Sequence, residues 1–131
     1  MPRAPYCTLG VKMVEKNSSR SVTMVPSEVV AVSELVKVAP EAIVSRVLLR
    51  SPAGSVTVFA FAAGQELAEH TAPFDALVQV VSGRLELTIG GRPVTVTGGQ
   101  LVVMPAQVPH ALRATADSTM ILTMLRDRGE G

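Results

Sequence analysis

The chain has 131 residues, with 12 Lys and Arg against 11 Asp and Glu, a formal charge of +1. That length fits one domain with one core, and so even a charge balance, with 3% aromatic residues and no Trp, argues against a nucleic-acid partner. At 47% apolar and 18% charged residues the chain is too apolar for disorder, yet no apolar run reaches the ~18 to 20 residues of a membrane span.

Residues 1–20 mix prolines and charges and end in the polar run Asn17-Ser18-Ser19-Arg20. They read as a flexible N-terminal arm ahead of a single barrel over residues 21–131. Cys7 is the one cysteine, so an intrachain disulfide is excluded and a free thiol is expected. The first residues carry no apolar stretch followed by a small-residue cleavage site, and a cytoplasmic protein is expected. Residues 21–40 are apolar and β-branched. Within them Ser33-Glu34-Leu35-Val36-Lys37 is expected to open a helical turn behind a Ser cap, halted by Pro40.

From residue 43 the pattern is short strands, punctuated by Gly and Pro every 8 to 12 residues as in sandwiches and barrels. Strands are predicted over 43–49, 56–61, 65–70, 76–81, 84–89, 93–96, 101–104, 110–113 and 119–125. Arg84-Leu85-Glu86-Leu87-Thr88-Ile89 alternates polar and apolar residues as a half-buried strand does. Gly90-Gly91 then supplies the positive φ of a two-residue hairpin, and Val94 and Val96 face inward on the return. The fold class is all-β.

The chemistry rests on two histidines, His70 and His110, each at the end of a strand-like run. Around them the spacing is regular: Gly64, His70 and Gly83 frame one segment (64–83), and Gly99, Pro105 and His110 frame another (99–114). These segments resemble the two motifs of the cupin family, G-x5-H-x-H-x3,4-E-x6-G and G-x5-P-x-G-x2-H-x3-N. Residues 44–125 are covered by the resemblance. It implies a double-stranded β-helix, a jelly-roll barrel, with a short N-terminal extension.

In metal-binding cupins the motif positions supply three histidines and a carboxylate. This chain keeps His70 and His110 and has Ala72, Ala76, Gln107 and Ala114 at the second His, the Glu, the Gly and the Asn. On a strand His70 and Ala72 would share a face about 6.6 Å apart, whereas Glu66, also expected on that face, lies about 13 Å away. His70 and His110 are therefore the candidate metal ligands and candidate catalytic bases, with Gln79, Asp75 and Met104 as further donors. The ion would be a divalent transition metal, Zn, Fe, Mn, Ni or Cu. Two imidazoles alone make a poor cage for one, and Asp75 is better suited to cap the turn. Exchanging ligands for alanine is expected to leave a roomier apolar pocket lined by Ala72, Ala76, Ala114 and Gln107, and Gln107 where the family has glycine implies either a different turn or a strained one at the pocket rim.

The expected function is small-molecule binding by a stand-alone cupin, with or without a metal. The alternatives are a metal-dependent dioxygenase, isomerase or decarboxylase acting on a small oxygenated substrate, and a metal-free epimerase with a histidine base. Apolar stretches at 22–25 and 29–32 lie outside the motifs, and a homodimer through this region is expected.

Overall fold

The computed structural model describes residues 20–126, so the proposed arm up to residue 19, Cys7 included, lies outside the described residues. Ten strands follow in order: β1 (Ser21–Val22), β2 (Ile43–Ser51), β3 (Gly54–Phe61), β4 (Glu66–His70), β5 (Asp75–Ser82), β6 (Arg84–Ile89), β7 (Arg92–Thr97), β8 (Leu101–Met104), β9 (His110–Ala114) and β10 (Ser118–Leu125). Every strand predicted from sequence is present, with its ends moved by at most two residues. All pairings are antiparallel. A larger sheet runs β1-β2-β3-β10-β5-β8 and a smaller one β4-β9-β6-β7, the two layers of a jelly roll.

Strand alternation divides the apolar residues between two cores. Phe61, Val78, Val80, Met104 and Met120 of the larger sheet meet Leu85, Leu87, Val96 and Leu112 of the smaller one, forming the barrel interior. The opposite face of the larger sheet carries Leu48, Val58 and Ala60, and Val36, Leu35, Val32 and Met24 cover it. The apolar segment before the barrel is therefore a lid on the outer face of the sheet. Val22, Val25 and Val29 remain exposed within it.

The expected helical turn is corrected. A 3-10 turn spans Val32–Glu34 behind Ala31, with no side-chain cap. Ser33 lies inside the turn, and its carbonyl accepts a 3.0 Å hydrogen bond from Lys37 Nζ. The segment lies flat on the sheet so that Val32, Leu35 and Val36 all reach the outer core. Burial of these side chains outweighs the preference for a capped α-helical start.

One motif glycine sets the far end of the barrel. Gly83, at φ 92°, joins β5 to β6 where a Cβ would collide with the Asp117 carbonyl and Ser118 Oγ. Next to it the buried Ser118 Oγ accepts the Arg84 N–H at 2.9 Å and donates to the Ala116 carbonyl at 2.7 Å. A sharp corner with its polar groups paired closes this end.

Candidate functional site

His70 ends β4 and His110 begins β9, and the two are direct partners across the ladder. Strict alternation would not bring both inward. Leu67 pairs with Leu112 and packs on the core, so His70, three residues later, would point outward. Between Leu67 and His70, β4 advances three residues while β9 advances two. That extra residue is a β-bulge, and it turns His70 to the face of His110. The sequence carries a trace of it: in Glu66-Leu67-Ala68-Glu69-His70, core-facing Leu67 and site-facing His70 have incompatible parity.

The expectation that Glu66 shares the facing of His70 is corrected by the same bulge. Glu66 is exposed and lies opposite Arg113, itself exposed, while the neighbours of Arg113 along β9, Leu112 and Ala114, are buried.

The imidazoles meet edge to edge. Their Nε2 atoms are 3.1 Å apart, and the rings are steeply inclined, at 75° with centroids 4.3 Å apart. Each ring is held from behind in the same way. His70 Nδ1 lies 3.0 Å from the Ala68 carbonyl and His110 Nδ1 lies 3.2 Å from the Val108 carbonyl, two residues back in each case. His110 is buried at 4% exposure and His70 is open to solvent. Burial, and next the neighbouring His70, lower the His110 imidazole below its ordinary 6.5, against the opposing pull of the Val108 carbonyl.

Counting protons defines what the pair can do. A carbonyl only accepts, so each Nδ1 must carry hydrogen to bond its carbonyl. Two neutral imidazoles hold two protons in all, and those bonds use both. The Nε2 atoms then face each other as two lone pairs, and the 3.1 Å contact lacks a proton. A third proton, a hydrogen-bond donor from a ligand, or a cation completes the set. At an ordinary metal–nitrogen distance of ~2.0–2.1 Å, nitrogens this far apart subtend about 95–100° at a shared ion, fitting two adjacent corners of a coordination sphere. Among the described residues no third His, Cys, Asp or Glu joins them. The donor set does not fit the cage of a resident ion.

Two loops carry the pair, and they are tied together. Residues 71–74 follow His70, and residues 105–109 precede His110. Asp75 Oδ1 accepts the Ala106 N–H at 2.8 Å, and the Ala72 carbonyl accepts the Gln107 N–H at 2.8 Å. The Pro109 carbonyl accepts the Gly90 N–H at 2.8 Å, fastening the turn to the β6–β7 hairpin. Arg126 lies over the Phe74 ring at 5.1 Å, a cation–π contact on the first loop.

The remaining candidates disperse. Asp75 caps the 105–109 turn. Gln79 alternates with buried Val78 and Val80 and is exposed on the outer face of β5, away from the barrel interior that His110 shares with Leu112 and Ala114. Met104 pairs with Ala76 across β8 and β5, and both, with Ala114, belong to the packed interior. The space expected around Ala76 and Ala114 is taken up by that core. Ala72 is half-buried, and Gln107 is exposed at φ 65°. Two clefts of about 450 Å³ lie elsewhere, one along Val22, Leu49 and Leu125, the other along Val94, Val96 and Leu101. No helix among the described residues is long and apolar enough to cross a membrane.

The family model for the cupin domain matches residues 57–126, which include both histidines and most of the strands. Among solved structures, a conserved protein of unknown function from Streptococcus pyogenes is 33% identical, with 81% of this chain and 93% of that one covered at a TM-score of 0.77. A cupin 2 conserved barrel domain protein from Leptotrichia buccalis is 34% identical, covering 72% of this chain and 46% of that one, with a TM-score of 0.70. An RmlC-like cupin from Shewanella frigidimarina is similar in fold alone, at 16% identity, 86% and 97% coverage and a TM-score of 0.67. No curated protein matches the sequence. The matched motifs, the two-sheet barrel and these likenesses agree: the chain belongs to the cupin family.

Proposed function

We propose that this cupin binds a small organic acid at the His70–His110 pair, as a carrier or sensor. The observation that carries the reading is the 3.1 Å approach of two Nε2 atoms whose Nδ1 atoms both face carbonyls, an arrangement that leaves a neutral pair with no proton to share. A carboxylic acid supplies what is missing: its proton completes the Nε2 contact, and its carboxylate stays beside the resulting cation. Binding a carboxylate to the neutral pair thus takes up one proton. His70 opens to solvent and receives the ligand, while buried His110 holds its partner in place.

Calorimetry with acetate near pH 7.5, in two buffers of different ionisation enthalpy, tests this by counting protons. Uptake of about one proton per site, and loss of binding in His70→Ala and in His110→Ala, is expected. Binding without proton uptake would overturn the reading.

A second reading, a metal-dependent enzyme, has the same spacing in its favour but needs ligands that the described residues do not supply. The remaining corners would come from the substrate. Elemental analysis of untagged protein beside the His70→Ala/His110→Ala double variant decides it: metal near one per chain that vanishes in the variant would displace the first reading. The epimerase alternative needs a carboxylate behind its histidine base, yet Asp75 is engaged with Ala106 and Glu66 lies on the opposite face. We also propose a homodimer using the exposed Val22, Val25 and Val29; a monomer in light scattering at micromolar concentration would refute it.

A further inference from the structure

We infer that Gln107 is a ligand-contacting residue of the His70–His110 site and that its carboxamide selects a hydroxyl next to the bound carboxylate, making small 2-hydroxy acids the preferred class. The inference rests on the reading that the histidine pair takes an organic acid. Gln107 adopts φ 65°, a left-handed conformation in which Cβ crowds the backbone and glycine is the unstrained choice. Two other described non-glycine residues share positive φ, Ser27 and Glu41, and both precede the barrel strands that carry the histidines.

Gln107 differs from them in its position. Its N–H is bonded to the carbonyl of Ala72, two residues after His70, and its own chain reaches His110 three residues later. The strained residue therefore sits where the two histidine loops are tied. The side chain is exposed, and its carboxamide makes no hydrogen bond among the described residues. An apolar side chain would suffer the same strain, and glycine would remove it. What glutamine adds is a donor and an acceptor on one planar group, which pair with a hydroxyl that both donates and accepts. Strained backbone recurs at binding sites, where it keeps a side chain that stability alone would reject.

The test measures glycolate and acetate binding by calorimetry in the wild type, Gln107→Gly, Gln107→Asn and His70→Ala/His110→Ala. The wild type is expected to prefer glycolate by about fivefold, the scale of one hydrogen bond. Gln107→Gly should fold, melt about 2–4 °C higher on release of the strain, and bind the two acids equally. Asn tolerates the left-handed backbone and keeps the amide, so Gln107→Asn should recover part of the preference. The double histidine variant should lose both acids. Retention of the glycolate preference in Gln107→Gly overturns the role of Gln107 and leaves the histidine reading standing. Failure of the wild type to bind either acid overturns both.

Discussion

The two ends of the barrel are built on opposite terms. At the Gly83–Ser118 end a glycine occupies a position where a Cβ would strike the backbone, and a buried hydroxyl pairs with the strand beside it. At the histidine end a glutamine takes a backbone conformation suited to glycine, its amide is left open, and two imidazoles face each other Nε2 to Nε2 with both Nδ1 atoms already at carbonyls. The first end minimises free energy. The second keeps unmet bonding capacity, which is what a binding site must hold in reserve. The tethers Asp75–Ala106 and Gln107–Ala72 let the site end keep its shape despite that shortfall.

The comparison breaks most readily at the closed end. Gly83→Ala adds a methyl against the Asp117 carbonyl at a positive φ and should cost about 3 kcal/mol, read as a lower denaturant midpoint. Ser118→Ala leaves the Arg84 N–H without its partner and should cost about 1–3 kcal/mol in the same measurement. At the site end the sign reverses: Gln107→Gly should stabilise by up to about 1 kcal/mol, because it removes strain rather than a contact. A destabilised Gln107→Gly would mean that the two ends obey one rule.

The smallest effect is one of pH. The folded state lowers the His110 imidazole below 6.5, so the folded chain binds its proton less readily than the unfolded chain. The associated stability is fully present above pH 6.5 and is lost as pH falls through the lower folded value. Denaturant midpoints over about pH 5 to 8 should therefore fall less steeply toward acid in His110→Gln than in the wild type. Equal slopes would remove His110 as the source.

Much of this was legible in the residues. Alternation in 84–89 and 93–96 and the Gly90-Gly91 hairpin identified β6 and β7, because a strand with one buried face must place its apolar residues two apart. The spacing of Gly64, His70, Gly83, Gly99, Pro105 and His110 indicated the family. Three things were hidden. The facing of Glu66 followed alternation counted from His70, and alternation has no term for an inserted residue. Ser33 looked like a helix cap because capping is local, whereas the pull of the outer core on Val32, Leu35 and Val36 is not. Ser118 gave no sign, since one serine at a strand start is buried or exposed according to what folds over it.

Through the resemblance of its motifs the sequence placed His70 and His110 in one site, and by itself it determined which segments become strands and where the chain turns. Those properties depend on neighbours a few residues away, through side-chain alternation and the backbone freedom of glycine. Only the tertiary structure decided that the histidines meet at 3.1 Å with both Nδ1 atoms already engaged, that Asp75 caps Ala106 and so is withheld from the pair, and that Ala76 and Ala114 are packed into the core. Those outcomes depend on the bulge in β4 and on two loops brought together from distant parts of the chain, where register, and not composition, assigns each side chain its partner.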